Sequence, residues 1–373
     1  MQDFTFSTTR NIVCEAGAAA RLAEHCQAAG AGRVLLVTDT GIVNAGLLDQ
    51  VLPGFDRGDL RLGIFDRVEA DPKDTTVEAA VHAARAMDVA KLVSVLAHPA
   101  CGQSLEELYG VGHIRGPRLP LIQVPTTAGT GSEVTPIAIV TTGETTKAGV
   151  VSPVLQPDTA LLDAELTIGL PPQVTAATGI DAMVHAIEAY TSAHKKNPVS
   201  DMLAREALRL LSENIATATH QGTDLEARGN MLLGALYAGQ AFANAPVAAV
   251  HALAYPLGGH FHIPHGLSNS LVLPAVMRFN APAASAAYAE LAPYIMGDAY
   301  LRGSDADVTG RLIRWLENLI VQLGLPNLLR ECGVREDALE LLASDAMQQQ
   351  RLLVNNPRAV SEQDALDIYR AVY

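Results

Sequence analysis

The first 170 residues alternate short apolar runs with segments of helical periodicity. Residues 33–39 form a β-branched apolar run between two glycines, which is typical of a buried parallel strand. Similar runs at 60–65, 119–125, 137–141 and 153–163 predict further strands, and helices are predicted at 16–28, 43–52 and 75–97. Strands that alternate with helices predict an α/β domain with a doubly wound, Rossmann-like parallel sheet.

After Pro172 the strand signals nearly vanish and helical periodicity dominates. Leu170, Pro171 and Pro172 mark the change. We therefore predict two domains, an α/β domain over residues 1–170 and an all-α domain over residues 171–373. The helices predicted in the second domain span about 173–192, 198–217, 223–246, 248–257, 265–280, 283–296, 304–323, 326–332, 335–345 and 361–372.

Composition limits the class of protein and the kind of partner. The chain has 373 residues, of which 49% are hydrophobic and 18% charged, as in folded two-domain enzymes. A formal charge of −14 argues against nucleic acid or an anionic membrane as a partner, which leaves small molecules. No secretion signal or long apolar run is visible, and the four cysteines show no CxxC spacing. We therefore expect a cytoplasmic protein without a thiolate metal cluster.

Four potential metal ligands lie between residues 181 and 265. Asp181 and His185 are four residues apart and share one face of a predicted helix. His251 is expected near the end of one helix and His265 at the start of the next. One carboxylate and three imidazoles suit Fe(II) or Zn(II). An isolated Asp/His pair on an apolar helix is more often part of the core, so the pattern alone leaves a structural role open.

A loop at residues 126–135 follows a predicted strand and is rich in glycine, threonine and serine. Its backbone N–H groups and hydroxyls could hold a phosphate or carboxylate, although such loops are also ordinary turns. Asp39 ends another predicted strand, at the edge where open α/β sheets bind ligands. A carboxylate there would accept a hydrogen bond from the ribose 2′-OH of NAD and repel the 2′-phosphate of NADP, so we predict that NAD is the preferred cofactor.

The run from Thr178 to Tyr190, followed by His251-x13-His265, resembles the metal-binding core of the iron-containing (group III) alcohol dehydrogenases. The Thr-Thr-Ala-Gly-Thr-Gly-Ser-Glu stretch at 126–133 is similar to the loop that lines their nucleotide cleft, and the similarity covers almost the whole chain. The resemblance implies a metal-dependent NAD(P) alcohol dehydrogenase. Such an enzyme interconverts an alcohol and its aldehyde or ketone by hydride transfer and forms a dimer or larger assembly.

The resemblance also implies roles for individual residues. The first domain would bind the dinucleotide, and the second would hold the metal and the substrate. Tyr255 stands where many relatives carry another histidine; it would pass a proton or pack, and His260 would relay protons or be a loop histidine. The expected metal ligands are Asp181, His185, His251 and His265, for Fe(II) or alternatively Zn(II); the expected nucleotide contacts are Asp39, Thr126, Thr127, Thr130, Ser132, Thr135 and Lys147.

The sequence departs from the family immediately before Met87. Relatives carry there a further strand that ends in a Gly-Gly-Gly-Ser loop for the cofactor pyrophosphate, whereas here Ala86 runs directly into Met87. Two explanations are open: the protein lacks the segment, or the segment is absent only from this sequence. The alternatives are a glycerol-dehydrogenase-like, dehydroquinate-synthase-like or maleylacetate-reductase-like enzyme, or a metal-binding homologue without catalysis.

Overall fold

The computed structural model describes residues 3–56, 60–68, 75–77, 87–142, 146–298 and 302–373, without the side chains of 87–89, 146 and 147. The chain divides into two compact units. One comprises Thr8–Thr126 and Ser132–Gly169, and the other Met1–Ser7, Thr127–Gly131 and Leu170–Tyr373. Among the described helices, none combines the length and apolar character needed to cross a membrane.

The first unit is built from short, mostly parallel strands. Strand β8 pairs in parallel with β1 and β5, β2 pairs in parallel with β3, and β7 pairs in parallel with β4 and antiparallel with β6. The parallel sheet predicted from the apolar runs is therefore confirmed. The strands are β1 Asn11–Cys14, β2 Arg33–Asp39, β3 Arg61–Val68, β4 Gly110–Val111, β5 Ile122–Gln123, β6 Ile137–Thr142, β7 Thr146–Val151 and β8 Thr159–Leu162.

One helix of this unit is shorter than the periodicity predicts, because the helix expected over 43–52 is two short helices on either side of Gly46. Of the segment 75–97, predicted as one helix or two fused, helix is described at 75–77 and from Met87 onward. Residues 78–86, next to the departure before Met87, lie outside the described part of the chain. The helices are α1 Leu22–Ala28, α2 Thr40–Asn44, α3 Leu48–Val51 and α4 Met87–Leu96.

The second unit is helical, as predicted. Its central helix, α5, is buried at every position from Gly179 to Thr191 and packs against α6, α7 and α9. Because this helix is surrounded on all sides, its polar residues are buried together with its apolar ones. The helices are α5 Pro172–Thr191, α6 Pro198–His220, α7 Leu225–Asn244, α8 Ala249–Phe261, α9 His265–Met296, α10 Asp305–Gln322, α11 Leu339–Ala346, α12 Gln350–Leu353 and α13 Glu362–Ala371.

Three helix boundaries predicted at prolines or glycines are wrong. Helix α8 ends at Phe261 and not at residue 257, and it begins at Ala249, so His251 is its third residue and not near its end. Helix α9 runs unbroken through Pro282, where two helices were expected. The helix expected over 326–332 is a 3₁₀ turn, Leu329–Cys332. Proline removes one helical hydrogen bond, but burial of the surrounding turns outweighs that local cost.

Candidate metal centre

Three helices bring the four predicted ligands to one point. Asp181 and His185 lie on α5, His251 is the third residue of α8, and His265 is the first residue of α9. Their ligand atoms all lie within 4.8 Å of one another. The Nε2 atoms of the three histidines are 3.9, 3.8 and 3.6 Å from Asp181 Oδ1. Tetrahedral ligands about 2.1 Å from a metal ion are about 3.4 Å apart, so this set fits one divalent cation.

The protonation of the cluster also fits a cation. Burial lowers the pKa of His185 to about 3, so this imidazole is neutral at pH 7. Burial raises the pKa of Asp181, but the three histidines and Asn269 outweigh it and hold the pKa below its usual range. A neutral imidazole and an ionised carboxylate are the forms that bind a metal ion. The side chain of His265 is 43% exposed whereas Asp181 is 2% exposed, so solvent reaches the cluster from the His265 side.

Two polar residues that the sequence analysis did not assign contact the ligands. Asn269 Nδ2 donates to Asp181 Oδ1 at 2.6 Å and lies 3.2 Å from His265 Nε2. Glu188 Oε2 lies 2.7 Å from His251 Nδ1. Spacing gave a partial signal for both, because Glu188 is seven residues after Asp181 and Asn269 is four residues after His265. These spacings place each residue on the ligand-bearing face of its helix.

Aromatic rings line the cluster on two sides. The ring of Phe242 stacks on His185 with centroids 4.4 Å apart. The Tyr255 ring lies 6.0 Å from the His265 ring, so this residue adjoins the candidate centre. His260 Nε2 instead lies 2.5 Å from Asp345 Oδ2 on α11. Phe242 carried no sequence signal of its own, since an aromatic residue on a largely buried helix is ordinary.

The predicted nucleotide residues occupy several elements. Asp39 is the last residue of β2. It also caps α2, because its Oδ1 accepts a hydrogen bond of 3.0 Å from the N–H of Ile42. The hydroxyls of Ser132 and Thr135 are brought together by Lys91, whose fully buried Nζ donates to them at 2.9 and 3.1 Å.

The other nucleotide candidates are placed by their backbone. Thr127 and Thr130 belong to the segment that groups with the helical unit, whereas Thr126 belongs to the α/β unit. Lys147 lies on β7 and pairs with Thr141 of β6. The side chain of Lys147 is outside the described part of the chain.

A parallel α/β unit followed by a helical unit with an Asp/His₃ cluster is the architecture of a metal-dependent dehydrogenase. Residues 9–164 match the model of the family described as "Iron-containing alcohol dehydrogenase". Residues 175–373 match that of the "Fe-containing alcohol dehydrogenase family, C-terminal". The chain belongs to the iron-containing alcohol dehydrogenase family.

Individual relatives agree with this assignment along almost their whole length. Long-chain-alcohol dehydrogenase 1 of Geobacillus thermodenitrificans is 40% identical over 372 residues, covering 96% of this chain and 93% of that protein. The crystal structure of a 1,3-propanediol oxidoreductase is 33% identical, covers 100% of both chains and gives a TM-score of 0.95. A sulfoacetaldehyde reductase from Bifidobacterium kashiwanohense, solved in complex with NAD⁺, is 26% identical and gives a TM-score of 0.87, covering 100% of this chain and 99% of that one.

The family, the fold class and the function as an iron-containing alcohol dehydrogenase, all predicted from the sequence, are thereby confirmed. The substrate is a small molecule, an alcohol or an aldehyde, as the family implies.

Proposed function

We propose that this chain oxidises an alcohol to its aldehyde or ketone, and catalyses the reverse reduction, with NAD as the hydride carrier and iron held by Asp181, His185, His251 and His265. The observation that carries the proposal is the convergence of three Nε2 atoms on one buried carboxylate. A bound metal ion supplies a Lewis acid that lowers the pKa of an alcohol O–H. The solvent-accessible side at His265 leaves room for a substrate oxygen.

The protein contributes position and charge. Asp181 supplies one negative charge to the cluster and imidazole ligands would add none, so a bound divalent cation would keep a net positive charge. A site with residual positive charge favours an alkoxide over an alcohol. The ring of Phe242 stacks on His185 and keeps water from that side of the cluster, which strengthens such electrostatic interactions.

Proton transfer is proposed for Tyr255 and His260. The phenol of Tyr255 adjoins the exposed ligand His265, where it can pass a proton between substrate and solvent. His260 is paired with the partly exposed Asp345, and an imidazole paired with a carboxylate can relay a proton.

Nucleotide binding is proposed for Asp39, at the carboxyl end of β2, and for the loop that follows β5. The NAD⁺ complex of the related sulfoacetaldehyde reductase supports NAD as the cofactor. In the loop, Lys91 Nζ donates to the hydroxyl oxygens of Ser132 and Thr135 and so fixes both side chains. The remaining proposed contacts are Thr126, Thr127, Thr130 and Lys147.

We also propose a cytoplasmic homodimer. All four cysteines are free, which agrees with a reducing compartment. Light scattering should give a mass of about twice the 39.3 kDa of the chain, and a monomer mass would contradict the dimer.

Replacement of His265 by alanine tests the metal assignment. The wild-type protein should carry about one iron or zinc ion per chain, and the variant should lose both the metal and turnover. His194→Ala, which removes an exposed histidine of the same unit, should keep both. Metal content is measured by plasma mass spectrometry and turnover by NADH absorbance. The assignment is wrong if His265→Ala retains metal and activity.

A further inference from the structure

Glu188 is a buried carboxylate that none of the proposed catalytic steps uses. It follows His185 by three residues on α5, and its side chain is 5% exposed. Burial of an ionisable group is costly unless hydrogen bonds or charges compensate it. The contacts of Glu188 therefore indicate what the residue is for.

Three donors converge on this carboxylate. The N–H of Ala248 donates to Oε2 at 2.9 Å, and the N–H of Val250 donates to Oε1 at 2.7 Å. His251 Nδ1 lies 2.7 Å from Oε2. Helix α8 begins at Ala249 and its own N-cap residue provides no side-chain hydrogen bond. Glu188 thus caps α8 from another helix, at the turn that carries His251.

The same contact selects the tautomer of His251. Both carboxylate oxygens already accept a hydrogen bond from a backbone N–H, so Glu188 is the acceptor in the third contact as well and His251 Nδ1–H is the donor. The lone pair of His251 is then on Nε2, the atom 3.8 Å from Asp181 Oδ1. A neutral imidazole with its proton on Nε2 would place that proton inside the cluster and could not bind a cation there.

We propose that Glu188 is a positioning residue for the metal centre, which fixes both the start of α8 and the Nε2-ligating tautomer of His251. This inference rests on the proposed function, because it requires that the cluster binds a divalent cation. A carboxylate behind a metal-binding histidine orients the ring and raises its basicity, and its loss costs about 10–100-fold in metal affinity or activity.

Glu188→Gln changes one oxygen to an NH₂ group with almost no change in volume. If the NH₂ group replaces Oε2, it donates to His251 Nδ1 and imposes the Nε2–H tautomer. If it replaces Oε1, it opposes the N–H of Val250 and that hydrogen bond of the cap is lost. Neither orientation of the amide preserves all three hydrogen bonds.

Cobalt titration of the metal-free protein tests the proposal without relying on turnover. Co(II) is followed by its visible absorption, and competition with a chelating dye gives the dissociation constant. Glu188→Gln should weaken Co(II) binding about 10–100-fold and alter the visible bands. Tyr190→Phe is the matched control, because Tyr190 lies on the same helix as Glu188 and its hydroxyl contacts Glu290 and Arg205 instead of a metal ligand. This variant should bind Co(II) like the wild type.

A double mutant separates positioning from a general structural effect. In a His251→Ala background, Glu188→Gln should cause no further loss of Co(II) affinity; an equal further loss would overturn the proposal. Unchanged affinity in the single variant would also overturn it. Should Glu188→Gln fail to fold, Glu188→Asp replaces it, since its shorter carboxylate should lose about tenfold in affinity and wild-type binding would refute the role. If the wild-type protein itself bound no Co(II), the proposed function would fail instead.

Discussion

Gly266 allows the two helices that carry three of the four metal ligands to approach each other. It follows His265 on α9, and a Cβ atom built on it would lie 2.5 Å from the carbonyl oxygen of Ala177 on α5. Real Cβ atoms essentially never come within 3.0 Å of another atom, and here the obstacle is backbone that cannot rotate away. In Gly266→Ala, α9 must therefore move away from α5, and His265 moves with it.

The magnitude follows from overpacking. Forcing an extra methyl group against a packed backbone costs about 1–3 kcal/mol, and a contact this short belongs in the upper half of that range. Replacing a helical glycine by alanine returns about 0.5–1 kcal/mol. The net loss is about 1–2.5 kcal/mol, which lowers the melting temperature by about 2–10 °C at about 2–4 °C per kcal/mol for a unit of this size.

Gly258→Ala is the matched control. Gly258 lies on α8, and its added Cβ would meet its nearest atom, the carbonyl oxygen of Ile263, at an ordinary 3.6 Å. This variant should melt at or above the wild-type temperature. Differential scanning calorimetry of the metal-free proteins gives the stabilities, and Co(II) titration gives the affinities. The packing argument fails if Gly266→Ala matches the wild type in both measurements.

Two further predictions concern the α/β unit. Burial raises the pKa of Glu133 from 4.5 to about 7; because the folded pKa is the higher one, its stabilising contribution is complete below about pH 4.5 and is lost as the pH rises to about 7. Urea unfolding should show this decline in the wild type and a flatter profile in Glu133→Gln, and identical profiles would contradict it. NAD at 100 times its dissociation constant should raise the free energy of unfolding by about 2.7 kcal/mol and therefore raise the melting temperature. Initial rates should be higher with NAD than with NADP. Asp39→Asn keeps a side chain able to cap α2 and should weaken the preference for NAD. If NAD does not change the melting temperature, the non-catalytic homologue without a pyrophosphate loop is favoured. If the wild-type protein prefers NADP, the role of Asp39 is refuted.

The sequence alone determined the classes of element and the identities of the candidate ligands. Strand runs and helical periodicity depend on local alternation of side chains, so β2 and α5 could be predicted from the chain. The Asp181/His185 spacing placed two ligands on one helix face before any contact was known.

Tertiary structure decided where helices end and what stands behind each ligand. Helix α8 continues to Phe261, and its start at Ala249 puts His251 in the first turn, within reach of Glu188. The contact of Asn269 with Asp181 joins residues 88 positions apart. Local sequence cannot encode such pairs, because their hydrogen bonds form only after α5, α8 and α9 have packed, and the packing energy is spread over all three helices.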